Sequence, residues 1–103
     1  MFVQMKYFIV KVGHSYKVID CFVRKYGEGP SIMEQQQGFL NKELYVKKVD
    51  TNSEEVVVLI YWESEAHWKN YDNCISSNEQ LQFAQLDYIL ECCYTNFQVK
   101  GEV

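Results

Sequence analysis

Residues 39–62 constrain this chain more than any other stretch. Phe39 to Val49, "FLNKELYVKKV", and Glu54 to Trp62, "EEVVVLIYW", are two runs of strand composition separated only by Asp50, Thr51, Asn52 and Ser53. Turn-forming residues between two such runs make a hairpin, so the strands are antiparallel neighbours. The second run is richer in β-branched residues and belongs nearer the middle of a sheet. Any fold for this chain has to be built around that hairpin.

A strand and a helix are expected on each side of it. Phe2 to Val12 alternates, with Phe2, Gln4, Lys6, Phe8 and Val10 on one face and Val3, Met5, Tyr7 and Ile9 on the other. That is a strand with one fully apolar face and one mixed face. Gly13 ends it, and Ser15 is placed to cap a helix from Tyr16 to about Tyr26 with Val18, Ile19, Phe22 and Val23 as its apolar stripe. Gly27, Gly29 and Pro30 break that helix, and a short helical turn around Ser31 to Gln36 precedes Gly38. After the hairpin, Ser64 is placed to cap a helix starting at Glu65. Ser77 and Gln80 have capping-box spacing ahead of Leu81 to Leu86, and a last strand runs from about Tyr88 to Val99.

The order strand, helix, strand, strand, helix, strand is the βαββαβ arrangement of the ferredoxin-like α+β fold: a four-stranded antiparallel sheet with helices on one face. At 103 residues the chain makes one domain, residues 1–103. No element remains to cover the other sheet face, and 16% aromatic residues is more than so small a core hides. A homodimer packed sheet against sheet is therefore expected.

The formal charge of −4 is spread without a basic run, which argues against nucleic acid as a partner. No stretch approaches ~20 apolar residues, and the start "MFVQMKYFIVKVG" lacks a positive leader region. Neither membrane span nor signal peptide is expected, and the location expected is cytoplasmic. Cys21, Cys74, Cys92 and Cys93 contain no C-x-x-C pair, and Cys92 and Cys93, adjacent on a strand, point to opposite faces.

Gly13 after the first strand, "GFL" at Gly38 to Leu40, and "WESEAHWKNY" at Trp62 to Tyr71 carry a family resemblance. With its W-x-S-x-x-x-W motif, the chain resembles the antibiotic-biosynthesis monooxygenase superfamily, in particular its small heme-degrading monooxygenases. The resemblance implies a dimeric α+β barrel with a pocket between helices and sheet in each subunit. It also implies action on heme or a flat aromatic polyketide, commonly with no separate cofactor. The heme-degrading members use an asparagine on the first strand, a tryptophan on the second major helix and a histidine about three turns later as iron ligand. Anchoring on Trp62 and Ser64 puts Tyr71 at the tryptophan position and Leu81 at the histidine position; anchoring on Gly13 puts Lys6, or Gln4 with a slip of two, at the asparagine position. None of the three matches.

Two functions are therefore expected side by side. One is a monooxygenase acting on heme or another flat aromatic substrate, with Lys6 and Tyr71 as catalytic candidates and His67, Trp68, Tyr71, Cys74 and Leu81 around the ligand. The other is a binding protein on the same dimeric scaffold, its chemistry lost with the trio. His67 shares a helix face with Tyr71 and Cys74 and could ligate heme iron, or it is a half-buried helix histidine without a ligand. Trp68, Tyr71 and Ile75 have core spacing as well as pocket spacing. Lys6 either meets a ligand carboxylate such as a heme propionate or snorkels out at a sheet edge. His14, in the turn after the first strand, is expected in solvent.

Overall fold

The computed structural model describes residues 1–23, 29–74 and 79–100, with the side chains of Asn73 and Cys74 outside the description. Four strands, β1 (Phe2–Lys11), β2 (Phe39–Lys48), β3 (Ser53–Trp62) and β4 (Ile89–Gln98), alternate with α1 (Ser15–Phe22), α2 (Glu65–Cys74) and α3 (Glu79–Ala84). The strands form one antiparallel sheet in the order β2-β3-β1-β4. This is the ferredoxin-like α+β fold expected from the element order, and the β-branched third strand is central as its composition requires.

Register decides which residues meet. Lys6 lies between Val58 of β3 and Tyr94 of β4, and Phe8 between Val56 and Cys92. The mixed face of β1 turns out to be the one the helices cover: Phe2, Gln4, Lys6, Phe8 and Val10 are all buried. Opposite them on β3, Val56, Val58, Ile60 and Trp62 have no exposed surface. At about 1.5–3 kcal/mol for each large apolar side chain fully buried, this layer is the main source of stability. Phe8 anchors it, with its ring centroid 4.9 Å from that of Phe83 on α3 and 6.1 Å from that of Phe22 on α1.

Beside β1's outward residues Met5, Tyr7 and Ile9, β3 turns Val57, Leu59 and Tyr61 to the same side, all only half-buried. Cys92 and Cys93 face opposite sides of β4, the first packed against the core and the second exposed.

Local differences from the sequence expectation have local causes. Ser15 does not cap α1; its hydroxyl donates to Glu54 Oε1 at 3.0 Å, where the Gly13 amide also donates at 2.9 Å. One carboxylate on β3 thus ties down the turn after β1, and His14 takes the N-cap position with no side-chain cap. His14 is half-buried, not in solvent, because its ring stacks on Tyr88 at 5.5 Å. Residues 32–36 form turns instead of a helix, held by a reciprocal pair in which Ser31 Oγ accepts from the Glu34 amide and Glu34 Oε1 from the Ser31 amide. The expected end of the first helix at Tyr26, its break at Gly27, and the Ser77 cap lie outside the described residues.

Candidate functional site

Ser64 starts α2 as anticipated: its hydroxyl oxygen accepts from the His67 amide at 3.3 Å, satisfying a donor that the first turn leaves open. From there Trp68, Tyr71 and Asp72 fall on one side, following the i, i+3, i+4 spacing of a helix. Trp68 stacks on Phe2 at 5.1 Å and Tyr71 on Trp62 at 5.4 Å, so the strand-end tryptophan holds the helix at a set height above the sheet.

Under α2 lies a cavity of about 470 Å³. Its sheet side is Gln4 and Lys6 of β1 with Tyr94 and Asn96 of β4, which register makes into two cross-strand pairs, Gln4 with Asn96 and Lys6 with Tyr94. Its helix side is Trp68, Tyr71 and Asp72, and Glu79 with Gln80 and Gln82 closes it from α3. Gln80 Nε2 donates to the Cys92 carbonyl at 3.4 Å, pinning α3 to β4. A second cavity of about 250 Å³ reaches toward α1 and is lined by Phe22, Met33 and Lys42 among others. Lys6, Tyr71 and Glu79 line both cavities and stand between them.

Lys6 is the centre of this arrangement. Only 4% of it is exposed, and its ammonium lies 2.6 Å from Glu79 Oε2 and 5.0 Å from the centroids of both Phe22 and Tyr94. It does not snorkel out at a sheet edge, because β1 is an interior strand. A buried ammonium needs a counter-charge, and Glu79 supplies it while two aromatic faces add cation–π attraction. Burial, then the negative charge of Glu79, pushes the Tyr71 phenol up. Burial pushes the Tyr94 phenol up much further, with Glu79 again contributing. Tyr94 Oη sits near that carboxylate yet has no partner within hydrogen-bond reach, and Trp68 Nε1 is likewise buried without one. Two orphaned polar atoms on residues of one cavity are unusual in a settled core.

The other candidates are elsewhere. His67 does not line either cavity: its Nδ1 is 2.7 Å from Ser64 Oγ, and the ring packs over Gly38. One helical turn before Tyr71, its side chain serves the helix start and not the chamber. Leu81 is 62% exposed and lines neither cavity, since α3 turns Phe83 and not Leu81 to the core. The Cys74 side chain lies outside the described residues. Glu79, Tyr94 and Asn96 escaped the sequence reading. A lysine on a strand between core residues was itself the signal for a partner carboxylate, and register then makes Tyr94 its neighbour.

Residues 1–74 match the family model for antibiotic biosynthesis monooxygenases. The chain belongs to this family. Over 72 residues, 70% of the chain, this family member is 42% identical to the heme-degrading monooxygenase HmoA of Bacillus subtilis, and the match spans 62% of that protein's length. Among solved structures, an antibiotic biosynthesis monooxygenase assignment from Bacillus cereus shares 38% identity at a TM-score of 0.76, over 99% of this chain and 95% of that one. The heme degrader MhuD of Mycobacterium tuberculosis, solved with two hemes in its active site, shares the fold at a TM-score of 0.63, with 19% identity over 100% of this chain and 99% of that one. Among the described residues of this monooxygenase-family domain, no group of three or more His, Cys, Asp or Glu could hold a metal ion, and no helix is long and apolar enough to cross a membrane.

Proposed function

We propose that this family member is a monooxygenase whose substrate is heme or another flat aromatic molecule, bound between α2 and the sheet. The observation that carries the proposal is the cavity of about 470 Å³, walled by Trp68, Tyr71 and Tyr94 around a buried ammonium. Its size is within the usual range for small-molecule sites, and its walls combine aromatic faces with a few convergent polar groups. The heme-degrading relative HmoA supports heme as the first substrate to try.

In this reading the aromatic walls hold the flat ring and exclude water. Lys6 stabilises negative charge that develops on the substrate, and Tyr71, kept protonated by its raised pKa, donates a hydrogen bond to a substrate oxygen. The apolar open face of the sheet pairs with a second copy, giving a homodimer with one such site per subunit. The site functions in the cytoplasm.

A second reading has one specific observation in its favour: no described residue lining either cavity is a histidine. A chamber without that axial donor suits a protein that binds heme or an aromatic ligand without consuming it.

Hemin titration followed by absorbance, then reductant under air with catalase present, separates the readings. Saturable binding and loss of the Soret band establish breakdown. Saturable binding with a stable band establishes the binder, and no saturable binding removes heme as the ligand.

A further inference from the structure

Glu79 is in an unusual position for the partner of a buried cation. Lys6 cannot leave: it is 4% exposed, on an interior strand, and clasped between the rings of Phe22 and Tyr94. Glu79 can leave, since its side chain is 38% exposed and it is the first residue of a six-residue helix. A turn of that side chain toward solvent, with the backbone unmoved, removes the group that stands between the two cavities. It also bares an ammonium that has three donors and almost no water.

We propose that Lys6 and Glu79 form an exchangeable latch that makes the site selective for flat aromatic ligands bearing a carboxylate. The ligand's carboxylate takes the place of Glu79 on Lys6, and its ring lies against Trp68 and Tyr71. This rests on the proposed aromatic-ligand cavity and adds its selectivity. A neutral ligand has nothing to offer Lys6, so it binds only with the latch shut and in the larger cavity alone. An anionic ligand replaces one charge-assisted bond by another, frees Glu79 to be hydrated, and reaches the second cavity. Lys42 on the far side of that cavity is already engaged, by the Phe22 carbonyl and by Glu34 at 3.9 Å, so the exchange centres on Lys6.

The test compares two fluorescent probes of one shape, 1-pyrenebutyrate and 1-pyrenebutanol, on the full chain and on two variants. The unmodified protein is expected to bind the carboxylate about tenfold more tightly than the alcohol. Glu79→Gln removes the competing anion, so the carboxylate gains a further factor of about ten while the alcohol is unchanged. The same variant melts at lower temperature, and the carboxylate probe, not the alcohol, restores its Tm. Lys6→Met combined with Glu79→Gln removes both charges together, which buried pairs tolerate, and the two probes then bind alike. Equal affinities in the unmodified protein, or no gain for the carboxylate in Glu79→Gln, overturn the latch. If hemin still binds in that case, the aromatic-ligand reading survives; if neither pyrene nor hemin binds, both are overturned.

Discussion

The imidazole of His67 fills the space that a side chain at residue 38 would need. A Cβ built on Gly38 would come within 2.6 Å of three His67 atoms, and Gly38 holds φ at +89°, a left-handed conformation that L side chains rarely adopt. The glycine therefore satisfies two independent demands, one steric and one conformational. Gly38→Ala should destabilise the protein through both, and His67→Ala should relieve only the steric part. In a double-mutant cycle by urea denaturation, the Gly38→Ala cost should shrink in the His67→Ala background but leave about 1–2 kcal/mol of backbone strain. An undiminished cost would show that the ring moves aside freely.

Phe8→Ala should cost about 3–5 kcal/mol, near the upper end for a core truncation. Phe8 has no exposed surface and meets the rings of Phe22, Phe83 and Tyr94 from three different elements, so no single neighbour can collapse into the gap. Chemical denaturation measures it, and a loss under 1.5 kcal/mol would mean the helices resettle on the sheet.

Tyr71→Phe should leave hemin affinity within about twofold, because the ring stays in place, while slowing breakdown about a hundredfold if the hydroxyl stabilises charge in the reaction. Single-turnover loss of the Soret band reads the rate. An unchanged rate would reduce Tyr71 to a wall.

Burial, with lesser contributions from Cys93 and Glu79, pushes the Cys92 thiol up from 9.0 to about 11. The neutral form is the one the fold favours, so this contribution is fully present below pH 9 and is lost as pH rises toward 11. Tm should be level from about pH 7 to 8.5 and fall above pH 9, with Cys92→Ala showing a shallower fall. Parallel slopes for the two proteins would assign the alkaline loss to the buried tyrosines instead.

Leu59→Arg should convert a dimer to a monomer. Met5 and Leu59 are cross-strand partners near the middle of the face the helices leave open, and a guanidinium there would have to be buried without a partner in any sheet-to-sheet assembly. Sedimentation velocity distinguishes the two states; an unmodified protein that sediments as a monomer would end the homodimer proposal.

Element order was legible in the sequence because it depends on local periodicity and turn chemistry, which the hairpin at Asp50 to Ser53 and the cap at Ser64 carry openly. The site was legible only in part, because it depends on which face of β1 the helices cover. Two apolar-rich faces alternate along Phe2 to Val10, and nothing local says that the one containing Gln4 and Lys6 goes inside. His67 misled for a related reason: helical spacing places it beside Tyr71, but the nearby serine and the bare backbone of Gly38 take its ring. Glu79 and Tyr94 were hidden by distance, lying 73 and 88 residues from Lys6 along the chain.

The chamber has two origins within one polypeptide. Of its ten described lining residues, Gln4, Lys6, Trp68, Tyr71 and Asp72 fall inside the stretch that matches the family model, and the other five come from residues 79–96, beyond it. Shared ancestry over residues 1–74 therefore accounts for one side of the binding space only. The opposing side is supplied by a short helix and an edge strand, where substitutions can reshape the space without disturbing the central pairing of β1 with β3. A relative's substrate is thus a guide to half of this enclosure, and the choice of guest is written where Glu79 and Tyr94 stand.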